Sequence, residues 1–470
     1  MPALRLRLPV MLLSRSGRAA PAVRPTSRAR PRTLPWTTSF ASRGRGRRAF
    51  SAAATVTAGD RSIKIISAEA TKRVDLDNCR CTSCVNQDTL QRNFDTFAIP
   101  ADIRATNVTA DDEGLRVIWS GDSHESRYPW DLLRFYQQND HRSPEPVNFH
   151  YWGRSIEENP PSVDFDAVMD TSSEAGIAKL TDLLRRYGFA FVPGTPFADP
   201  APTQRLLERI AFIRVTHYGG FYDFVPDLAM ADTAYTNLAL PAHTDTTYFT
   251  DPAGLQAFHL LSHQVPASAA PGTSGGASLL VDGFHAARLL RAADPDAFDV
   301  LTRVRLPWHA SGNRGITLAP DRRYPVLELL DDEDREVVGG RGGGGGGGRR
   351  RPNGRLHRVR WNNDDRGIVP FGDDGDADGV DPARWYDAAR KWVAILRRPD
   401  VEFWTQLRPG TALIFDNWRV LHGRSAFVGL RRICGGYIAR DDYISRWRNT
   451  NYPRERGGGG GEEVASLGAG

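Results

Sequence analysis

Apolar and polar positions along the chain change rhythm twice. From Ser62 to about Tyr136, short apolar runs such as Ile63-Lys64-Ile65-Ile66 and Leu115-Arg116-Val117-Ile118-Trp119 alternate with polar turns. That period predicts a small β-rich module over 60–150. From about Phe165 the pattern becomes a helix over Gly176 to Tyr187, a short strand over Phe189 to Pro193, and then strands separated by Gly, Pro and Asp turns. A second domain over 160–450 follows, and the fold class is mainly β with peripheral helices. Two low-complexity pieces stand apart: residues 339–352, nearly all Gly and Arg, and the tail 454–470 with its Gly run. Neither can bury apolar area, so they read as a flexible insertion and a disordered tail. No repeat period is visible.

At 470 residues and 40% hydrophobic content the chain can build one large core and one small one. No stretch reaches the roughly 18 to 20 consecutive apolar residues of a membrane span, because Arg5, Arg7 and Arg15 cut the Leu-rich start. The charge is uneven. Residues 1–59 hold twelve arginines and no acid, and without them 49 basic residues face 56 acidic ones. The formal charge of +5 therefore belongs to the leader, and net charge gives no case for a nucleic-acid partner. An Arg-rich, acid-free segment with Ser and Ala is the composition of a mitochondrial transit peptide, here disordered, and Arg48-Ala49-Phe50-Ser51 resembles a matrix-protease site. Four cysteines are too few for a disulfide scaffold, and three of them lie in Cys79-Arg80-Cys81-Thr82-Ser83-Cys84. Three thiolates on so short a loop converge on a soft cation such as zinc. The remaining Cys434 reads as a small buried apolar residue.

In Ala242-His243-Thr244-Asp245-Thr246 the His and Asp stand at i and i+2, which on an extended strand project to one face. His422, just beyond the apolar run Leu413-Ile414-Phe415, offers a third ligand. Two histidines and one carboxylate leave three open positions on octahedral Fe(II), room for a keto acid and O₂. Nine residues on, Arg431 could take the keto acid's distal carboxylate in bidentate fashion. Arg432 is the alternative, but adjacent strand residues face opposite ways, so only one points inward.

Together with Asp232-Thr233-Ala234-Tyr235-Thr236, Leu280-Val281-Asp282-Gly283-Phe284 and Asp416-Asn417-Trp418-Arg419-Val420-Leu421-His422-Gly423-Arg424, these blocks resemble the Fe(II)/2-oxoglutarate dioxygenases of carnitine biosynthesis. The resemblance runs from about Ile63 to Arg448. It implies a double-stranded β-helix, or jelly roll, behind a small N-terminal zinc-binding domain. It implies iron on His243, Asp245 and His422, with 2-oxoglutarate on Arg431 and Ser278, and O₂ and ascorbate as further reactants. His124 resembles the fourth ligand of a structural zinc site with Cys79, Cys81 and Cys84. A trimethylammonium group donates no hydrogen bonds and is recognised by aromatic faces. Tyr218, Tyr222, Tyr235 and Tyr437 match the family's cage, although relatives usually carry Trp at the place of Tyr222. Asp232 would add Coulomb attraction, and Asn362 and Asn363 resemble the loop at the substrate's carboxylate end. The implied reaction, in the mitochondrial matrix, is hydroxylation of free N6,N6,N6-trimethyllysine at C3. Decarboxylation of 2-oxoglutarate to succinate and CO₂ accompanies it. Hydroxylation of γ-butyrobetaine is the first alternative, and non-catalytic binding of a quaternary ammonium is the second. A homodimer is compatible with the sequence.

Overall fold

The computed structural model describes residues 76–121, 124–129, 148–225, 236–268, 274–312, 314–330, 354–369 and 381–452, plus the backbone alone of six short strands. Asp232, Tyr235, residues 339–348, the tail 453–470 and most of the leader lie outside the described residues. Within the leader, Thr38–Phe40 and Ala54–Ala58 pair with each other, and within the Gly/Arg insertion Arg349–Pro352 pairs antiparallel with Arg335–Val338.

The chain divides into two compact units, residues 1–144 with 458–470, and 145–457. In the first, β1 (Ala105–Ala110), β2 (Gly114–Trp119) and β3 (Glu125–Pro129) form an antiparallel meander. Leu115, Val117, Trp119 and Tyr128 are buried, and the Trp119 indole donates to Ser126 Oγ at 2.9 Å.

The second unit is built on two antiparallel sheets. The larger runs β4 (Phe189–Pro193), β10 (Thr411–Asp416), β7 (Leu255–Gln264), β12 (Leu430–Ile438), β5 (Tyr222–Phe224). The smaller runs β6 (Leu240–His243), β11 (Val420–Arg424), β8 (Ser278–Asp282), β9 (Phe403–Thr405). Strand alternation sorts their side chains into three cores. Phe189, Leu260, Leu413 and Phe415 of the larger sheet cluster with Leu280, Phe403 and Val420 of the smaller, so these faces meet. The opposite face of the larger sheet, with Leu255, Ala257, Ala412 and Ile414, is covered by helices α1 (Ala175–Tyr187), α2 (Ala201–Ile210) and α6 (Arg440–Asn451). The outer face of the smaller sheet, with Leu279, Val281 and Leu421, packs on α3 (Gly283–Ala293), α4 (Pro295–Arg303) and α5 (Pro382–Leu396).

Local sequence sets these elements. In α1, Ile177, Leu180, Thr181 and Leu184 repeat at helical spacing and are buried, and Gly188, at φ 82°, ends the helix in the left-handed region where glycine is cheapest. Asp282 closes β8, accepts from the backbone N–H of Phe284 and His285 to start α3, and receives a bidentate Arg419 guanidinium at 2.7 and 3.0 Å. Both partners are buried. Arg419 also donates to the carbonyls of Arg186 and His150, so the same side chain ties the start of β11 to the last turn of α1 and to the loop at His150. Asp294 caps α4 by accepting from Ala297 N–H at 2.9 Å, and it meets Lys391 of α5 at 2.6 Å. Asp294→Ala is expected to lower unfolding stability by about 1 kcal/mol through removal of the cap. Lys391→Ala, which breaks only a half-exposed pair, should cost less than about 0.5 kcal/mol in the same denaturant titration.

Candidate active site

The facing sheets enclose a cavity of about 360 Å³. On the smaller sheet, His243 at the end of β6 stands directly opposite His422 of β11, and their rings lie 4.3 Å apart. Asp245 faces both: its Oδ1 is 3.3 Å from His243 Nε2 and 3.7 Å from His422 Nε2. Asp245 does not reach this place as a strand residue two along from His243. The strand ends at His243, and Asp245 sits in the bend after it, followed by Thr246 at φ 55°. That left-handed residue is held by a hydrogen bond from Ala253 N–H to Thr246 Oγ1, while Arg360 donates to the carbonyls of Thr247, Phe249 and Thr250 and so braces the turn.

The donor atoms of His243, Asp245 and His422 lie within 4.8 Å of one another, close enough to share one metal ion. His243 Nδ1 donates to the Pro241 carbonyl at 2.8 Å, which leaves the Nε2 lone pair for a ligand bond. Asp245 Oδ2 accepts from Gln256 Nε2 at 2.6 Å and Tyr437 Oη at 2.9 Å, which leaves Oδ1 facing the two histidines. Burial opposes ionisation of Asp245, but the neighbouring His422 and His243 and the hydrogen bond from Tyr437 outweigh it and hold the carboxyl below its usual range. Burial, then the charge of His243, pushes His422 down to about 3, so it is a neutral ligand at physiological pH. This donor set fits Fe(II) with three protein ligands and open positions.

Two further walls complete the cavity. Arg431, Arg424 and Ser278 line one end. On β12 the residues 431, 433, 435 and 437 share the inward parity, so Arg431 is buried while Arg432 turns outward to Asp223 at 2.6 Å. Among the described residues no carboxylate pairs with Arg431, and its Nε has no hydrogen-bond partner. Burial and the nearby Arg424 push its pKa down to about 10. Gly276, at φ 73°, makes room for it, since a Cβ there would stand 3.0 Å from Arg431 Nη1. A buried cation without an anion is costly unless a ligand supplies one.

The other wall is aromatic. Tyr218, Tyr222 and Tyr437 all line the cavity; Tyr222 and Tyr437 meet edge to face at 5.9 Å, and the Tyr218 and Tyr248 hydroxyls are 3.4 Å apart. Asn362 lines it too, donating to Asp365 at 3.0 Å. Asn363 does not: it is exposed, and its amide oxygen accepts from Arg366 instead. Tyr248 and Gln256 do not stand out in the sequence. Gln256 carries a faint signal, as one amide inside the otherwise apolar run Leu255-Gln256-Ala257-Phe258. Cys434 is buried beside His259 in the helix-covered face.

In the first unit, Cys79, Cys81 and Cys84 surround His124 Nε2 at 3.5, 3.8 and 3.3 Å. Zinc bonds of about 2.3 Å to sulfur and 2.0 Å to nitrogen give tetrahedral edges of roughly 3.6 Å, so the four donors fit that ion. Burial disfavours the Cys81 and Cys84 thiolates, but hydrogen bonds from the Cys84 and Ser83 backbone and from the neighbouring thiols lower Cys81, while burial and Cys79 raise Cys84. One cation would satisfy all three. Cys81→Ser is expected to lower bound zinc from about one equivalent toward none, and the melting temperature with it, since structural metal binding is folding free energy. A Cys81→Ser protein with undiminished metal and the wild-type Tm would refute the site.

A two-histidine, one-carboxylate centre between two antiparallel sheets defines the class of mononuclear non-haem oxygenases. Residues 146–437 match the family described as Taurine catabolism dioxygenase TauD, TfdA, and residues 71–134 match the Gamma-butyrobetaine hydroxylase-like N-terminal domain. The chain belongs to the TauD, TfdA family of dioxygenases. It is 59% identical over 403 residues to the trimethyllysine dioxygenase of Neurospora crassa, covering 80% of each chain. It is 37% identical to that of Meyerozyma guilliermondii, covering 81% of this chain and 90% of the relative. It is also 37% identical to the protein of Gallus gallus named as mitochondrial, covering 79% and 81%.

Proposed function

We infer that this chain is an Fe(II)- and 2-oxoglutarate-dependent dioxygenase that hydroxylates N6,N6,N6-trimethyllysine to its 3-hydroxy product, the first step of carnitine biosynthesis. The observation that carries the reading is one cavity holding the His243/Asp245/His422 triad, a buried Arg431 that no carboxylate among the described residues pairs, and the rings of Tyr218, Tyr222 and Tyr437. The identity to trimethyllysine dioxygenases supports the choice of substrate over γ-butyrobetaine. The two facing sheets support a double-stranded β-helix, and the Cys79/Cys81/Cys84/His124 group supports a structural zinc site in the N-terminal domain. The acid-free leader supports import into the mitochondrial matrix, in line with the relatives named as mitochondrial.

The residues divide the work. His243, Asp245 and His422 hold Fe(II), which when bound supplies O₂ activation coupled to oxidative decarboxylation of 2-oxoglutarate. Arg431, with Ser278, takes the cosubstrate's distal carboxylate and so cancels a buried charge. Tyr218, Tyr222 and Tyr437 face the trimethylammonium group, each worth roughly 0.5 to 2 kcal/mol by cation–π attraction. Tyr235 and Asp232 complete the cage on the family's pattern, and Asn362 serves the amino-acid end. Ascorbate keeps the iron ferrous. The apolar side chains of Phe258, Leu413 and Ile433 keep water from the reacting carbon. The test is turnover with Fe(II), 2-oxoglutarate and O₂ on trimethyllysine and γ-butyrobetaine in competition, read by mass spectrometry. A gain of one oxygen on trimethyllysine with equimolar succinate is expected; preferential oxidation of γ-butyrobetaine, or none of either, overturns the reading.

A further inference from the structure

We propose that Gln256 and Tyr437 are positioning residues for the metal centre. They hold Oδ2 of Asp245 so that Oδ1 alone is presented beside His243 and His422, and Tyr437 thereby ties the aromatic wall to the ligand set. The inference rests on the functional reading above and adds to it a role for two residues that do not themselves ligate.

Asp245 needs such support because of where it lies. It has left strand β6, so no sheet ladder fixes its backbone, and the residue after it is left-handed. Asn417, buried at the end of β10, replaces that ladder: its Oδ1 accepts from Asp245 N–H at 2.8 Å, and its Nδ2 donates to the Asp245 carbonyl at 3.0 Å. The main chain is thus fixed, but the carboxylate could still turn about its own bond. Two donors stop it. Gln256 on β7 and Tyr437 on β12 are direct cross-strand partners, so their side chains rise from the same sheet face toward one point. At that point Gln256 Nε2 and Tyr437 Oη meet Asp245 Oδ2 at 2.6 and 2.9 Å. The orientation of the Gln256 amide follows from chemistry, since its oxygen would be repelled by the carboxylate. Tyr437 is a donor as well, since the carboxylate oxygen 2.9 Å from its hydroxyl can only accept. Two donors occupy the acceptor sites of Oδ2, whereas Oδ1 keeps its lone pairs.

The ring of Tyr437 meanwhile packs on Tyr222 in the cavity wall. One side chain therefore serves two neighbours through separable parts, a face toward the substrate cation and a hydroxyl toward the metal ligand. Tyr437→Phe removes only the second. Gln256→Leu, from another strand, removes the other donor while keeping bulk.

The test uses Co(II) as the probe, titrated anaerobically into the zinc-loaded full chain and followed by visible absorption, with His243→Ala as the blank for binding elsewhere. Each variant is expected to weaken Co(II) binding about 10-fold or more, the usual cost of deleting an outer partner of a ligand. The double variant should lose more than either alone. Trimethyllysine affinity of the Co(II)-loaded Tyr437→Phe protein should stay within about 2-fold of wild type, since the ring face remains. In turnover, both variants should form succinate in excess of hydroxylated product. Wild-type Co(II) affinity in both variants, or a Tyr437→Phe protein that loses trimethyllysine affinity alone, overturns the proposal. Wild-type chain that takes up no more Co(II) than His243→Ala fails instead the reading of the site itself, so the two failures are distinct. Should Tyr437→Phe fail to fold, Gln256→Leu decides.

Discussion

Asp245→Ala is expected to lower hydroxylation at least about 10³-fold, equivalent to roughly 4 kcal/mol of transition-state stabilisation. The substitution removes the only carboxylate among the three candidate ligands. Without that carboxylate two neutral imidazoles 4.3 Å apart remain, too few donors to retain Fe(II). The protein should still fold. Gln256 and Tyr437 lose an acceptor, which costs about 1 to 3 kcal/mol, but the sheet register around them does not depend on it. The zinc content should be unchanged, because the cysteine cluster belongs to the other unit. Asp245→Asn separates charge from shape: it keeps the volume and should be nearly as inactive. Turnover near the wild-type rate in either variant would remove Asp245 from the metal site.

What local sequence reveals of this site depends on the kind of information each residue carries. His243, Asp245 and His422 are readable because metal ligation demands particular residue types, and a short spacing between two of them survives any change of local backbone. Strand alternation, however, does not account for their convergence. A strand would place Asp245 two along from His243 on one face, whereas a bend, a left-handed Thr246 and the Asn417 side chain place it here. Strand parity is enough to say that one of Arg431 and Arg432 faces inward, and β12 buries the first. Parity fails for Asn362 and Asn363, where the chain turns and no period of 2 applies. Gln256 is invisible because one amide in an apolar strand has no signature until its cross-strand partner is known, and that partner, Tyr437, lies 181 positions away. Pairing of distant strands is the information that local patterns lack.

Arg431→Met should raise the 2-oxoglutarate requirement by about 10²- to 10³-fold and leave that for trimethyllysine within a few-fold. The substitution deletes a charge-assisted pair to a carboxylate, with two hydrogen bonds of about 1.5 to 3 kcal/mol each in a dry site. Trimethyllysine would meet other walls of the cavity, so a uniform rise in both requirements would point to a collapsed pocket instead. The stability of the unliganded protein should move the other way. An arginine whose pKa is pushed below its ordinary value is less comfortable charged in the fold than in the unfolded chain. At every pH below about 10 the guanidinium is charged, so the unliganded fold carries that cost throughout the physiological range and would be relieved of it only above that value. Met fills similar space without the charge, and the variant should therefore melt at or above the wild-type temperature when no cosubstrate is present. Addition of 2-oxoglutarate with Zn(II) in place of iron should then reverse the order. Wild type gains about 2.7 kcal/mol at a hundredfold excess over its dissociation constant, and the variant gains almost nothing at the same concentration. Arg432→Met, which breaks only the exposed pair with Asp223, should change neither quantity appreciably. A wild-type protein whose melting temperature ignores 2-oxoglutarate, or an Arg432→Met variant that shows the cosubstrate defect, would mean that the anion is bound elsewhere in the cavity. Arg424, on the same wall, would then be the guanidinium to replace next.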